Sequence, residues 1–439
     1  MPLFKKKNEP WMLDYKKHNK QYASPDFSQN LLLSKHVRLS LDDTKERNNK
    51  HVCVFGDDND IEQYILSNLL QASHNYIVPD DGGYLYAMTG EYLRKRGYTV
   101  QAFDVADAAN TVCYNPLLCI QPDDDVALME MASQLLHKDS VHQFRQKDHY
   151  LVFAALHYVC TLPVEQRTFG NVYTLLQKAL DEHKISAVAE VLHCDEDIAR
   201  SRAYECWCES GAKAEQMETL QQIVTALGMF QWDALKLHTS TDNLNLSSCH
   251  EGKRAIFITC HVGTETICQM LYWQLLHYLA QTARNGTFVR PWLVFCNQTV
   301  PSLYYLLLGR QQPYAISLMY SSLALLKKEY PENWDSIVGV CDNLLYLGGK
   351  SLCTVEYLSK ELGYLAPATN YRKLKRMYKN PSINYLEIRR RALMTPYEIT
   401  CLPINQCILK MRGVKPILDE KYVAQLHPNA AQMGQHAKE

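Results

Sequence analysis

The sequence contains no Cys-x-x-Cys pair, no apolar leader behind its first residues and no marked excess of either charge. Its 15 cysteines are odd in number and scattered, and the closest local pairing, Cys206-Trp-Cys208, is too tight for a zinc ligand set. Cys249-His250 and Cys260-His261 have ligand-type side chains, but Cys260 ends a predicted strand. So many unpaired thiols fit a reducing compartment and exclude a disulfide-stapled miniprotein. The start, Met1-Pro2-Leu3-Phe4-Lys5-Lys6-Lys7, is followed by no apolar core, so no signal peptide is predicted. The most apolar window, 266–283, is interrupted by Gln269, Gln274, His277 and Gln281 and predicts a buried amphipathic helix, not a membrane span. A soluble cytoplasmic protein is expected. With 47% hydrophobic and 21% charged residues over a length of 439, wholesale disorder is excluded as well. That length suits two or three modest domains, or one large domain with an insertion.

A formal net charge of −1 hides segregation. Residues 1–50 hold 11 Lys/Arg against 6 Asp/Glu, and residues 372–391 hold 8 against 1. The stretch 51–371 carries 22 basic against 36 acidic residues, so an acidic body lies between basic segments. Such asymmetry points to polyanion or partner contacts, with solvated tails as the plain alternative.

Short β-branched and aromatic runs at 51–55, 75–78 and 98–103 alternate with helical spacing at 60–71 and 84–96, the signature of parallel βαβ units. From 126 to about 237 helical periodicity continues almost without a strand signal, which predicts an all-α insert. Asp123-Asp124-Asp125 reads as the cap of its first helix. Buried-type strands resume at 255–260, 292–295, 315–319 and 343–347, and 407–411 adds one near the end. The fold class expected is α/β with a mostly parallel sheet. Its segments are a basic N-terminal part (1–48), a first α/β part (49–125), the helical insert (126–237), a second α/β part (238–365) and a basic, strand-bearing end (366–439).

A phosphate-binding loop is expected where a strand runs through glycine into a helix. The candidate here is Gly56-Asp57-Asp58-Asn59-Asp60-Ile61. It offers three carboxylates, no lysine and no hydroxyl. One carboxylate–phosphate repulsion at a few ångströms costs on the order of a few kcal/mol. Binding of a cation by Asp57, Asp58 and Asp60 is a weaker alternative to three acids facing water. Gly348-Gly349-Lys350-Ser351 is a decoy, because Leu344 stands where the full motif needs glycine. From Thr266 to Lys328 there are 63 consecutive residues without Asp or Glu, so the strand at 292–295 cannot supply the acidic pair that holds Mg²⁺ in a motor. Glu205, Glu209 and Glu215 show no His or Ser partner in sequence. His149 and His157, eight apart, read as packed or surface residues.

Several ordered segments resemble the motor domain of type IV secretion coupling proteins, the TraG/TraD-type conjugative DNA-transfer ATPases. They include Ser67-Asn68-Leu69-Leu70-Gln71, the run Tyr76-Ile77-Val78-Pro79-Asp80-Asp81-Gly82-Gly83-Tyr84-Leu85-Tyr86, Tyr114-Asn115-Pro116-Leu117, Arg412-Gly413, Lys421-Tyr422 and His427-Pro428. The resemblance implies a RecA-like P-loop NTPase fold with an inserted all-α domain, in a family that acts as a membrane-anchored hexamer. It also puts Asp60 at the P-loop lysine position and Ile61 at the Ser/Thr position. Ser321-Ser322 stand for the family's Gln-Asn, Gly82 for its Lys in D-P-K-G, and the strand-end Asp-Glu has no counterpart. The N-terminal membrane helices are not found in this sequence.

The expectation is therefore a non-catalytic homologue that binds neither ATP nor Mg²⁺, with no catalytic or metal residues. It would act as adaptor, regulator or cargo-recruiting subunit of a conjugative system, as a monomer or small complex held near the inner membrane face by partners. Two alternatives stand beside it. One is an active ATP-driven DNA translocase. The other is a passive single-strand binder using Arg372, Lys373, Lys375, Arg376 and Lys379, which interleave with Tyr371 and Tyr378.

Overall fold

A computed structural model describes residues 15–41, 49–107, 111–136, 144–183, 185–193, 197–297, 299–300, 302–308, 312–364 and 391–434. Its strands are β1 (Asn30–Leu32), β2 (Arg38–Ser40), β3 (Val52–Phe55), β4 (Asn75–Pro79), β5 (Thr99–Asp104), β6 (Arg254–Thr259), β7 (Trp292–Cys296), β8 (Tyr314–Tyr320), β9 (Asn343–Tyr346), β10 (Gln406–Met411) and β11 (Ile417–Glu420). The chain forms two units. One comprises Met1–Ser73 and Ala315–Gln432, the other His74–Tyr314 and Met433–Glu439.

In the first unit the strand order is β11-β10-β9-β3-β8. β3 lies parallel to both neighbours, with Val52 opposite Ser317 and Asn343. All four β3 residues are buried, as a continuous apolar run covered on both faces requires. β10 reverses direction against β9, and β11 against β10. Helix α1 (Tyr15–Tyr22) and the antiparallel pair β1–β2 precede β3. Sequence patterning missed these elements, because charge counting alone made residues 1–50 look like a polar stretch. Leu31, Leu32, Leu33, Val37 and Leu39 are buried, while Lys16, Lys17, Lys20 and Lys35 are exposed. Helix α2 (Asp58–Leu69) follows β3. Its Asn68 fixes the hairpin: Leu32 N donates to Asn68 Oδ1 at 2.8 Å, and Asn68 Nδ2 donates to Leu32 O at 3.1 Å.

In the second unit β7-β4-β6-β5 are all parallel. Helix α3 (Tyr84–Lys95) connects β4 to β5. From Asp125 to Ser240 the described residues hold helices and no strand, beginning with Asp125–Leu136 and Gln146–Thr161. Asp124 caps the first of these, its Oδ1 accepting Ala127 N at 3.0 Å. The apolar window 266–283 lies in helix Glu265–Arg284, and no helix among the described residues is long and apolar enough to cross a membrane.

Candidate nucleotide-site region

The segment between β3 and α2 is short. Only Gly56 and Asp57 separate Phe55 from the first helical residue, Asp58. Gly56 N donates to Tyr320 O at 3.2 Å, and Leu347 N donates to Phe55 O at 2.7 Å, so both neighbouring strands pin the strand end. A Cβ on Gly56 would stand 2.9 Å from Leu347 Cβ. Close packing against the residue after β9 is therefore enough to require this glycine, with no phosphate involved. Asp57 is the N-cap, its Oδ1 accepting Asp60 N at 2.9 Å. Asp58 and Asp60 lie in the first helical turn, where their charges meet the positive end of the helix dipole. The end that would draw a phosphate is occupied by the chain's own carboxylates.

Asp60 does not face water, as an acidic turn was expected to do. Its Oδ2 forms an ion pair with Lys421 Nζ, and these side chains are only 14% and 9% exposed. Lys421 follows β11 and is held there by its backbone N–H, which donates to Asn405 O at 2.8 Å. Burial raises the Asp60 pKa, with Lys421 acting in the opposite direction. Thus a lysine from the far end of the chain meets an aspartate in the first turn of α2. The pair lines a cavity of 330 Å³, together with Gln63, Tyr64, Leu347 and Ile404.

Gly348 and Gly349, at φ of +134° and +140°, turn β9 into helix Leu352–Leu362 and leave Lys350 exposed. Tyr346 Oη closes the turn by donating to Gly349 O at 2.8 Å. Ser322 caps helix Leu323–Glu329, its hydroxyl accepting Leu325 N at 3.4 Å.

In the second unit, Asp80 follows β4 and accepts Leu85 N and Tyr86 N, each at 2.8 Å, and so caps α3. Burial raises its pKa against those two bonds. Gly82 has a φ of +90°, a conformation that disfavours any residue with a Cβ. His261, just after β6, and Asp104, the last residue of β5, bring Nε2 and Oδ1 to 2.7 Å, while His250 Nδ1 meets Tyr278 Oη at 2.8 Å.

Among the other residues singled out by sequence, Arg372, Lys373, Lys375, Arg376 and Lys379 lie outside the described residues. His157 is packed between Asp197 (2.9 Å) and Asp125 (3.5 Å). Glu205 does have a histidine partner: His193 Nε2 lies 2.9 Å from its Oε1, brought there by the fold and not by sequence spacing, with both side chains about half exposed. Lys421 stood out in the sequence only as part of a family segment. Its pairing with Asp60 spans 361 positions, and no local pattern could announce it.

Comparison with known proteins places this geometry. The family model for type IV secretory system conjugative DNA transfer matches residues 62–286, and the model for the TraM recognition site of TraD and TraG matches residues 304–404. No curated protein matches the sequence significantly. Among solved structures, the bacterial conjugative coupling protein TrwBdeltaN70 in complex with sulphate is 13% identical with a TM-score of 0.65, covering 93% of this chain and 92% of its own. The plasmid coupling protein TrwB in complex with ADP and Mg²⁺ is likewise 13% identical at a TM-score of 0.65, with coverage of 94% and 93%. VirB4 of Thermoanaerobacter pseudethanolicus is 12% identical at a TM-score of 0.53, covering 92% and 98%. The fold is the RecA-like P-loop NTPase fold expected from the sequence. The chain belongs to the type IV secretory system conjugative DNA transfer family.

Proposed function

We propose that this coupling-protein homologue does not hydrolyse ATP and serves a conjugative transfer system as an adaptor, regulator or cargo-recruiting subunit. The Asp60–Lys421 pair carries this reading. A nucleotide phosphate arriving at the head of α2 would have to displace a nearly buried ion pair and then face Asp57, Asp58 and Asp60. Breaking such a pair leaves an uncompensated charge and costs roughly 3 kcal/mol or more. The two-residue β3–α2 turn also offers little free backbone for wrapping a phosphate, and no Asp or Glu follows β7 until Glu329. Neither ATP nor Mg²⁺ binds at this turn in the proposed function. Protein partners dock on the segment 304–404, whose family match names a TraM recognition site. The protein works in the cytoplasm, brought to the inner membrane face through those partners.

Purified chain is assayed for phosphate release from Mg·ATP, with and without single-stranded DNA and a cognate coupling protein. The expected result is no release above the blank for the chain alone. Turnover that disappears in Asp60→Ala or Lys421→Ala would establish the competing reading, an active ATP-driven DNA translocase.

A further inference from the structure

The carboxyl edge of the second unit's sheet holds two thiols in contact. Cys260 follows the last residue of β6, and Cys268 lies near the start of helix Glu265–Arg284. The turn between them is tight and closed from both sides. Thr264 N–H donates to His261 O at 2.9 Å, and His261 N–H donates to Thr264 Oγ1 at 3.0 Å. Gly263 supplies the φ of +91° that this reversal needs. The helix then brings Cys268 back over the strand end. Its Sγ lies 3.9 Å from Thr259 O, the carbonyl joined to Cys260, while Cys260 Sγ lies 3.9 Å from His261 O. The Cys268 thiol donates to the Cys260 sulfur, so the two sulfurs meet directly.

The two thiols differ in access and in chemistry. Cys268 is fully buried, whereas Cys260 is half-buried, two residues before Val262, which is 97% exposed. The hydrogen bond from Cys268 holds the Cys260 thiol below its ordinary pKa, against burial and the carboxylates of Glu265 and Asp81. The same bond, with burial, drives Cys268 well above it. In Cys160, by contrast, burial prevails and pushes the thiol up to about 11. An accessible sulfur with thiolate character, in contact with a second thiol, is the arrangement of an attacking and a resolving cysteine.

We propose that Cys260 and Cys268 form a redox-active dithiol, a modification site for small-molecule disulfides of the glutathione class. The Cys260 thiolate attacks one sulfur of glutathione disulfide. A protein–glutathione S–S bond forms, and the departing glutathione thiolate takes up the proton that Cys260 gave to solvent. Cys268 then loses its proton and attacks the Cys260 sulfur. The mixed disulfide breaks, and the second glutathione leaves as a thiol once it has gained that proton. The protein gives up two electrons and two protons, and the reagent gains both. In a reducing compartment the pair rests as thiols, and the bond forms when the glutathione pool becomes oxidised. The product staples the end of β6 to the head of the helix across residues 260–268, closing the turn that carries His261 and its partner Asp104.

Trypsin leaves both thiols, and no other cysteine, on the one peptide 255–284, so a single mass reads the state of the pair. The folded full chain is incubated with glutathione disulfide, then unfolded, alkylated with iodoacetamide and digested. The expected peptide has lost both alkylation sites and is lighter by two hydrogens than its reduced, unalkylated form. Cys268→Ala should stop at the mixed disulfide, with one glutathione on Cys260. Cys260→Ser, at a half-buried position where folding is less at stake, should leave Cys268 open to alkylation after unfolding. Oxidation should raise the melting temperature of the parent and not that of Cys260→Ser. Full alkylation of the parent peptide, under conditions where the exposed Cys206 or Cys401 carries glutathione, would overturn the proposal. So would a mixed disulfide that persists on Cys260 in the parent, or a disulfide joining peptide 255–284 to another cysteine.

Discussion

Two residues at the head of α2 set what that region can do. Asp60→Asn and Lys421→Met each leave a nearly buried charge without its partner, and each is expected to lower unfolding free energy by roughly 3 kcal/mol. The double substitution should cost clearly less than the sum, and a denaturant-melt cycle on the four proteins reads the difference. Gly56→Ala drives a Cβ to 2.9 Å from Leu347, so the strand ends must part, at a cost of about 1–3 kcal/mol in the same melts. Two buried histidines contribute to the response to acid. His51 Nδ1 accepts Ile316 N–H at 3.0 Å, and His427 Nδ1 accepts Asn429 N–H at 3.1 Å, so both rings must be neutral. Burial lowers each pKa from 6.5 to about 4. Between those values the unfolded chain binds protons that the folded chain refuses, so stability is complete above 6.5 and declines as pH falls toward 4. His51→Asn, which keeps an acceptor without the titration, should reduce the slope of melting temperature against pH in that window.

At the scale of elements, α2 serves the hairpin before it as much as the sheet behind it. Asn68 exchanges two hydrogen bonds with Leu32, and Gln71 Nε2 donates to Phe27 O at 2.8 Å and Asn30 O at 3.0 Å. Asn68→Ala strands both backbone groups of Leu32 and should destabilise by about 2 kcal/mol, with amide exchange at Leu32 rising more than at Val54 in β3. Strands and helices in the βαβ parts were legible because each is long enough to show its period: β3, β4 and α3 fall within two residues of their expected limits. The β1–β2 hairpin was not, since three-residue strands carry no period and the surrounding lysines dominated the composition. The acidic turn was legible as chemistry and misread as geometry. Its charges are evident from three aspartates in a row of four, but a partner 361 positions away is a product of the fold alone. A cavity beside α1 and the hairpin escaped sequence reading for the same reason, because Tyr15, Arg38 and Tyr422 in its wall share no local pattern.

For the whole molecule, near-neutral charge conceals an acidic body and basic segments, and solution behaviour follows the segments. Replacing Arg372, Lys373, Lys375, Arg376 and Lys379 with glutamine should leave the melting temperature almost unchanged. The slope of log affinity for single-stranded DNA against log salt should fall by about 0.7 for each phosphate no longer neutralised. A slope identical to that of the parent would remove this stretch from any role in nucleic-acid binding. The first unit is assembled from residues at both ends of the sequence: Ser34 Oγ donates to Asp419 Oδ2 at 2.6 Å, across 385 positions, and Lys421 reaches back to Asp60. During synthesis the opening hairpin and α2 leave the ribosome long before β10 and β11 exist. The second unit, apart from its short closing segment, is complete in sequence by then. Its folding can run to an end while the first unit waits, with apolar strand β3 lacking its neighbours β8 and β9 until residue 346 is made.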